Sequence, residues 1–80
     1  MTKKEVLNSA FSESLGIPLA SVKDELKYNS IPEWDSVAHM VLVSVLEEKF
    51  DVMLDTNDIL DMSSVAQAQV ILEKHGILFV

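Results

Sequence analysis

The sequence contains no cysteine, which excludes disulfide bonds and thiolate metal sites and leaves the chain without a thiol of its own. It also lacks a long apolar run, since no stretch approaches the ~20 residues that a membrane-spanning helix needs. The N-terminal residues lead directly into an amphipathic pattern, without the apolar region or the cleavage site of a signal peptide. We therefore expect a soluble, cytoplasmic protein that has no membrane partner.

Basic residues are scarce, with 6 Lys and Arg against 13 Asp and Glu and a formal net charge of -7. The excess of acids lies between Tyr28 and Glu73, where Lys49 is the single base, whereas residues 1–27 carry equal numbers of acids and bases. Such a surface would repel a phosphate backbone, so we expect no nucleic-acid partner. A basic patch on another protein is its natural electrostatic complement.

The length and composition predict one small globular domain, residues 1–80, because 49% of the residues are hydrophobic and 24% are charged. Capping residues and helix breakers divide this domain into four helices. The predicted helices are Lys3 to Leu15, Ser36 to Phe50, a short one around Asn57 to Leu60, and a last one that starts after Ser64 and ends at Gly76. We therefore predict an all-α, four-helix bundle with three main helices, a short third helix and a long loop after helix one.

Apolar residues outside the helices also need a place in the core. In the long loop, the expected core anchors are Leu19, Val22, Leu26 and Ile31. The apolar tail, Ile77 to Val80, is predicted to fold back over the core. A dimer contact is the alternative for the tail, and we expect a monomer.

The second helix has two distinct faces when its residues are placed at 100° per residue. One face is the core stripe, formed by Ala38, His39, Leu42, Val43, Leu46 and Phe50. The opposite face is apolar near the helix start and acidic near its end, and it carries Val37, Met40, Val41, Ser44, Glu47 and Glu48. We interpret this second face as exposed and available to a partner. The alternative is that its three apolar residues pack under the long loop.

The stretch Glu33-Trp34-Asp35-Ser36-Val37 precedes and starts the second helix. Asp35 is a good N-cap, because its carboxylate can accept from the free N–H groups of the first turn. Ser36 then occupies the first helical position, near the positive end of the helix dipole. A phosphate on Ser36 would meet free backbone N–H groups there. On the local pattern alone, a plain polar residue at a helix start is the alternative interpretation.

The motif Asp35-Ser36-Val37, followed by Leu42, Leu46-Glu47-Glu48 and Phe50-Asp51, resembles the acyl carrier protein family. The resemblance extends from the first helix to Gly76. The family's hallmark is Asp-Ser-Leu at the start of its second helix, and its serine carries a 4′-phosphopantetheine arm. The resemblance therefore implies that Ser36 is the attachment residue and Asp35 its neighbour in the motif. Val37 replaces the usual Leu, and Trp34 stands where many fatty-acid carriers have Gly.

The resemblance implies a free-standing carrier rather than an enzyme. A phosphopantetheinyl transferase would modify Ser36, and the arm would hold acyl or aminoacyl groups as thioesters for loading and transferring enzymes with basic docking patches. The departures favour a specialised lipid, polyketide or polysaccharide pathway over bulk fatty-acid synthesis. Trp34 would either pack in the core or lie over the base of the arm. The expected partner contacts are Glu33, Val37, Met40, Val41, Glu47, Glu48 and Asp55.

Three other functions are alternatives to a carrier. An unmodified acidic interaction module would dock a basic partner without any arm. A calcium-responsive protein is suggested by Asp51, Asp55, Asp58 and Asp61, but the EF-hand spacing and its central glycine are missing, so we expect no metal site. An independent enzyme is the least favoured, because neither His39 nor His75 has a serine or cysteine partner at a recognisable spacing.

Overall fold

Four α-helices and one short 3₁₀ turn form the regular structure of the computed structural model, which describes residues 2–79. The helices are α1 (Lys3–Leu15), α2 (Ser36–Phe50), α3 (Thr56–Asp61) and α4 (Val65–Lys74), and the 3₁₀ turn is Leu19–Ser21. Within residues 2–79 there is no β-strand, although an isolated antiparallel bridge joins Lys27 to Ser64. The predicted all-α class is confirmed. No helix in this part of the chain has the length and apolarity to cross a bilayer.

Each helix is preceded by an N-cap, a residue whose side chain accepts a hydrogen bond from a backbone N–H of the first turn, as the sequence predicted. The four N-caps are Thr2, Asp35, Asp55 and Ser64. At Thr2 and Asp55 the third helical residue returns the bond, which completes a capping box. Ser64 followed by Gln67 three residues later also predicts a capping box, of which only the bond from Gln67 N to Ser64 Oγ is formed, at 3.0 Å. These bonds satisfy backbone donors that would otherwise lack a partner.

The core is centred on Trp34, which is fully buried together with Phe11, Leu7, Leu42, Leu46, Met62, Val65, Ile71 and Leu72. The indole of Trp34 meets the ring of Phe11 edge to face, with 5.2 Å between the ring centroids. Such a geometry is favourable for aromatic pairs. Of the two positions predicted for Trp34, packing in the core is therefore the one that the structure adopts.

The long loop between α1 and α2 is attached to the core by three of its four predicted anchors. Val22 is buried, and Leu26 and Ile31 are partly buried against the core. The prediction for Leu19 is wrong, because 55% of this residue is exposed. Leu19 opens the 3₁₀ turn, which has no buried residue, and Ile17 is the buried residue on the N-terminal side of that turn.

The C-terminal tail folds back as predicted, as far as it is described. Ile77 and Phe79 pack against the core, and the ring of Phe79 lies 5.9 Å from that of Phe50. Leu78 between them is exposed, and Val80 lies outside the described residues. The last helix ends at Lys74, so His75 is its C-cap rather than a residue of its last turn.

Candidate functional site

The start of α2 presents Ser36 at the surface. Asp35 has an extended backbone, and its Oδ1 accepts from Ala38 N at 2.9 Å, so the predicted N-cap is formed. Ser36 is the first helical residue and is exposed. The N–H groups of Ser36 and Val37 precede the first carbonyl that the helix could offer them. They therefore remain available to an anion beside Ser36, at the positive end of the helix dipole.

A cavity of about 300 Å³ opens beside Ser36, and its volume lies at the lower end of those that hold small molecules. It is lined by Tyr28, Ser36, His39, Met40, Ile59, Leu60, Met62 and Ser63. Its walls come from α2, α3 and the two loops that flank them. Methionine and branched aliphatic side chains supply half of the lining residues, three residues contribute hydroxyl groups, and His39 contributes its imidazole. The site thus combines one exposed nucleophilic oxygen with a neighbouring apolar space.

His39 lies one helical turn after Ser36 and joins three parts of the chain. Trp34 Nε1 donates a hydrogen bond to His39 Nδ1 at 3.0 Å. Because an indole N–H can only donate, Nδ1 must be the unprotonated nitrogen of the imidazole. His39 Nε2 then carries the proton and donates to the backbone oxygen of Ile59 at 2.9 Å. Both ring nitrogens are therefore occupied by hydrogen bonds within the protein, which leaves neither available to bind a metal.

His75 makes the second contact from a histidine to α3. Its Nε2 donates to Asp58 Oδ2 at 2.8 Å. This hydrogen bond is the main reason that the pKa of Asp58 is lowered from its ordinary value of 3.8. A carboxylate that accepts such a bond is stabilised in its charged form. Asp58 also accepts from the backbone of Asp55, and so it belongs to the capping box of α3.

The predicted apolar partner contacts on α2 form an exposed apolar stripe, which consists of Val37, Met40 and Val41. Val37 is 73% exposed, so the alternative that these residues pack under the long loop is wrong. Met40 also lines the cavity, which connects the stripe to the space beside Ser36.

The predicted acidic contacts divide into two kinds. Glu33 and Glu48 are exposed. Glu47 and Asp55 have roles within the fold: Glu47 Oε2 accepts from Leu54 N at 2.9 Å, and Asp55 caps α3. The bond made by Glu47 links the end of α2 to the segment that leads into α3. Of the four acids, Glu33 and Glu48 are therefore the ones with no such structural bond among residues 2–79.

The acidic segment after α2 does not form a cation site in the part of the chain that the structure describes. No group of three or more His, Asp or Glu side chains among residues 2–79 is arranged to hold a metal ion. Asp55 and Asp58 are engaged in the capping box, and Asp58 also binds His75. The geometry therefore gives the calcium hypothesis no support.

Most of the cavity was not predicted from the sequence. Ser36 and Met40 were singled out as site residues, whereas His39 was assigned to the core stripe of helix two. The spacing of three residues between Ser36 and His39 is a signal that could have linked them, because residues so spaced share one helix face. The lining from Tyr28, α3 and Ser63 depends on tertiary packing, which no local pattern reports.

Comparison with known proteins adds no relative to this picture, because no protein-family model matches the chain and no curated protein is significantly similar to it. The function must therefore be argued from the residues at the start of α2 and around the cavity.

Proposed function

We propose that the protein is a carrier of the acyl carrier protein type, with a 4′-phosphopantetheine arm attached to Ser36. The observation that carries the proposal is the position of Ser36: it is exposed, it is the first residue of a helix capped by Asp35, and it borders an apolar cavity. The finer fold that this implies is the family's four-helix bundle, with α3 as its short third helix.

The residues around Ser36 suit the attachment of a phosphodiester. The N–H groups of Ser36 and Val37 can receive anionic oxygens, and the helix dipole favours negative charge there. Asp35 occupies the N–H of Ala38 and thereby keeps α2 from fraying at this point. The arm, when bound, supplies the thiol that this cysteine-free chain lacks, and thioester chemistry takes place on that thiol. The chain itself holds, orients and presents the cargo without catalysing its transfer.

The proposed partners are a phosphopantetheinyl transferase and the enzymes that load and unload acyl or aminoacyl groups. They would meet the apolar stripe together with the acids around it, of which Glu33 and Glu48 are exposed. Exposed ion pairs contribute little to affinity individually, so charge would mainly steer the encounter and the apolar stripe would decide its specificity. Because this stripe is more apolar than the family usually shows, a specialised lipid, polyketide or polysaccharide pathway is the proposed setting.

The attachment is tested by incubating the protein with coenzyme A and a promiscuous phosphopantetheinyl transferase and then measuring the intact mass. The wild type should gain one phosphopantetheine group, and Ser36→Ala should gain none. Ser44→Ala is the matched control, since Ser44 is another exposed serine on α2, and it should be modified like the wild type. Modification of Ser36→Ala, or no modification of the wild type, would contradict the proposal.

The exposed apolar stripe also favours a second candidate, an interaction module that docks a basic partner without modification. This candidate predicts no mass gain under any transferase. It also predicts that partner binding depends on Met40 and Val41 and is unchanged by Ser36→Ala. The two candidates therefore differ in a single mass measurement.

A further inference from the structure

Helix α3 is held in place mainly by polar contacts. It has six residues, all described, and Asp58 alone among them is buried. Leu60 is 75% exposed, and Ile59 is only partly buried against the core. A helix of this length is not stable by itself, and an element with few buried apolar contacts opens more readily than the core. The position of α3 must therefore depend on side chains that reach it from other elements.

Both histidines of the chain reach α3. His39, on α2, donates to the backbone oxygen of Ile59. His75, directly after α4, donates to the carboxylate of Asp58. The Ile59 oxygen lies in the last turn of α3, where carbonyls lack intrahelical partners. Within residues 2–79 its other donor is Met62 N, at the longer distance of 3.4 Å. His39 is therefore a side-chain cap for the end of α3.

The contact made by His39 connects α3 to the buried core of the protein. The other nitrogen of its imidazole accepts from Trp34, whose indole is fully buried. The same α3 residue whose oxygen is held, Ile59, lines the cavity together with Leu60, and Ser36 and Met40 line it from α2. The chain of contacts thus runs from the core, through one imidazole, to a wall of the cavity beside Ser36.

We propose that His39 is a positioning residue for the site at Ser36: it holds α3 as the wall of the cavity by bridging Trp34 and the Ile59 carbonyl, and His75 holds the same helix through Asp58. As a feature of a carrier, this proposal rests on the proposed function. The positioning role itself can be measured on the unmodified protein, before any arm is attached.

Two conservative variants separate the two hydrogen bonds of His39. His39→Gln places an amide N–H where Nε2 lies, so it keeps a donor for Ile59 and loses the acceptor for Trp34. His39→Asn places a carbonyl oxygen near the position of Nδ1, so it keeps the acceptor for Trp34 and loses the donor for Ile59. Each variant removes the imidazole, and each retains one bond. The two variants are therefore matched controls for each other.

The first measurement is amide hydrogen exchange followed by NMR. The Ile59 amide, which donates to Asp55 O at 3.0 Å, reports on α3, and the amides of α1 report on global unfolding. In His39→Asn, exchange at Ile59 should be about tenfold faster than in the wild type, because α3 has lost one of its two histidine contacts. In His39→Gln, exchange at Ile59 should stay within about threefold of the wild type. The α1 amides report global stability, so they should accelerate more in His39→Gln, which leaves the buried Trp34 N–H unpaired, than in His39→Asn.

The second measurement uses methionine methyl groups labelled with carbon-13. Met40 and Met62 line the cavity, whereas Met53 is 86% exposed and serves as the internal reference. His39→Asn should move the Met40 and Met62 resonances toward that of Met53, and His39→Gln should leave them near their wild-type positions. The fluorescence of Trp34, the one tryptophan of the chain, should show the reverse order, with the larger change in His39→Gln.

Equal exchange at Ile59 in the Asn and Gln variants would overturn the positioning role, as would an acceleration of the α1 amides in His39→Asn that matches the one in α3. If the His39 variants fail to fold, His75→Leu and His75→Gln provide the same comparison at Asp58, and faster exchange in α3 is expected only for His75→Leu.

The mass experiment on Ser36 distinguishes a failure of the carrier proposal from a failure of the positioning proposal. A wild type without an arm contradicts the carrier alone, whereas normal modification with indistinguishable variants contradicts the role of His39 alone.

Discussion

Trp34 should be the side chain whose loss destabilises the protein most. A domain of 80 residues has a free energy of unfolding of about 4–12 kcal/mol. Replacing a fully buried tryptophan with alanine costs about 3–5 kcal/mol, because the apolar contacts are lost and a cavity remains. Trp34→Ala also leaves His39 Nδ1 without its donor. This variant should therefore lose between about a quarter and all of the total stability.

Trp34→Phe separates the hydrogen bond from most of the packing. It keeps an aromatic ring against Phe11 but removes the N–H that donates a hydrogen bond to His39 Nδ1. The expected loss is about 1–3 kcal/mol, which is the cost of leaving a partly buried acceptor unpaired. Leu19→Ala is the control, because Leu19 is an apolar residue of the same loop that is exposed, and it should change stability by less than about 0.5 kcal/mol.

The assay is urea unfolding followed by circular dichroism at 222 nm, since the two Trp34 variants lack the single tryptophan of the chain. With an unchanged slope of free energy against urea, the midpoint shift reports the stability change directly. If Trp34→Ala lost less than about 1 kcal/mol, or if Leu19→Ala lost as much as Trp34→Phe, the central role given to Trp34 would be wrong.

Three further predictions concern the ends of α2 and α3. Because the bond from His75 lowers the pKa of Asp58 below 3.8, the ionised carboxylate stabilises the fold above about pH 4. That stability is lost as the pH falls through the lowered pKa, so Asp58→Asn should be less stable than the wild type at pH 7, and the difference should shrink toward pH 2 in urea titrations. Asp35→Ala should cost about 1 kcal/mol in the same assay, because Ala38 N loses its cap. Val37→Ser should leave stability within about 0.5 kcal/mol and, on the carrier proposal, weaken the docking of the proposed partner enzymes, measured by titration calorimetry.

Each of these expectations has an outcome that contradicts it. A stability gap for Asp58→Asn that persists or grows toward pH 2 would show that the ionised carboxylate is not its source. An Asp35→Ala variant as stable as the wild type would mean that the cap contributes nothing to α2. Unchanged partner affinity in Val37→Ser, measured beside Ser44→Ala as a control on the same helix, would remove Val37 from the docking face.

The helix boundaries could be predicted closely because they are set by residues within one turn of each helix end. The caps Thr2 and Asp35 and the left-handed terminator Gly16, with φ of 67°, each act within one turn of the chain. The bounds of α1 and α2 are therefore those that the sequence predicted. The third helix extends one residue further at each end than the predicted Asn57 to Leu60, and Asp55 is its N-cap.

The cavity and the role of His39 could not be predicted in the same way. The 3.6-residue pattern places His39 on the inward face of α2, and the structure confirms that His39 is partly buried. What the imidazole meets there depends on where α3 and Trp34 lie, and both are fixed by contacts between distant parts of the chain. The prediction that Leu19 is buried is wrong for a related reason. Hydrophobicity favours burial, but the 3₁₀ turn leaves Leu19 exposed, and the nearby Ile17 is the residue that is buried.

The stretch from Trp34 to Ser36 places a buried anchor, a helix cap and an exposed hydroxyl on three successive residues. Trp34 is buried in the core, Asp35 caps the first turn of α2, and Ser36, directly after them, is exposed. On the carrier proposal this arrangement holds the root of the arm still while the rest of it moves. A change at Trp34 would then disturb the geometry at Ser36 although the Asp-Ser motif is intact. The motif therefore marks where an arm could attach, but the packing of Trp34, two residues before Ser36, fixes the backbone geometry at that position.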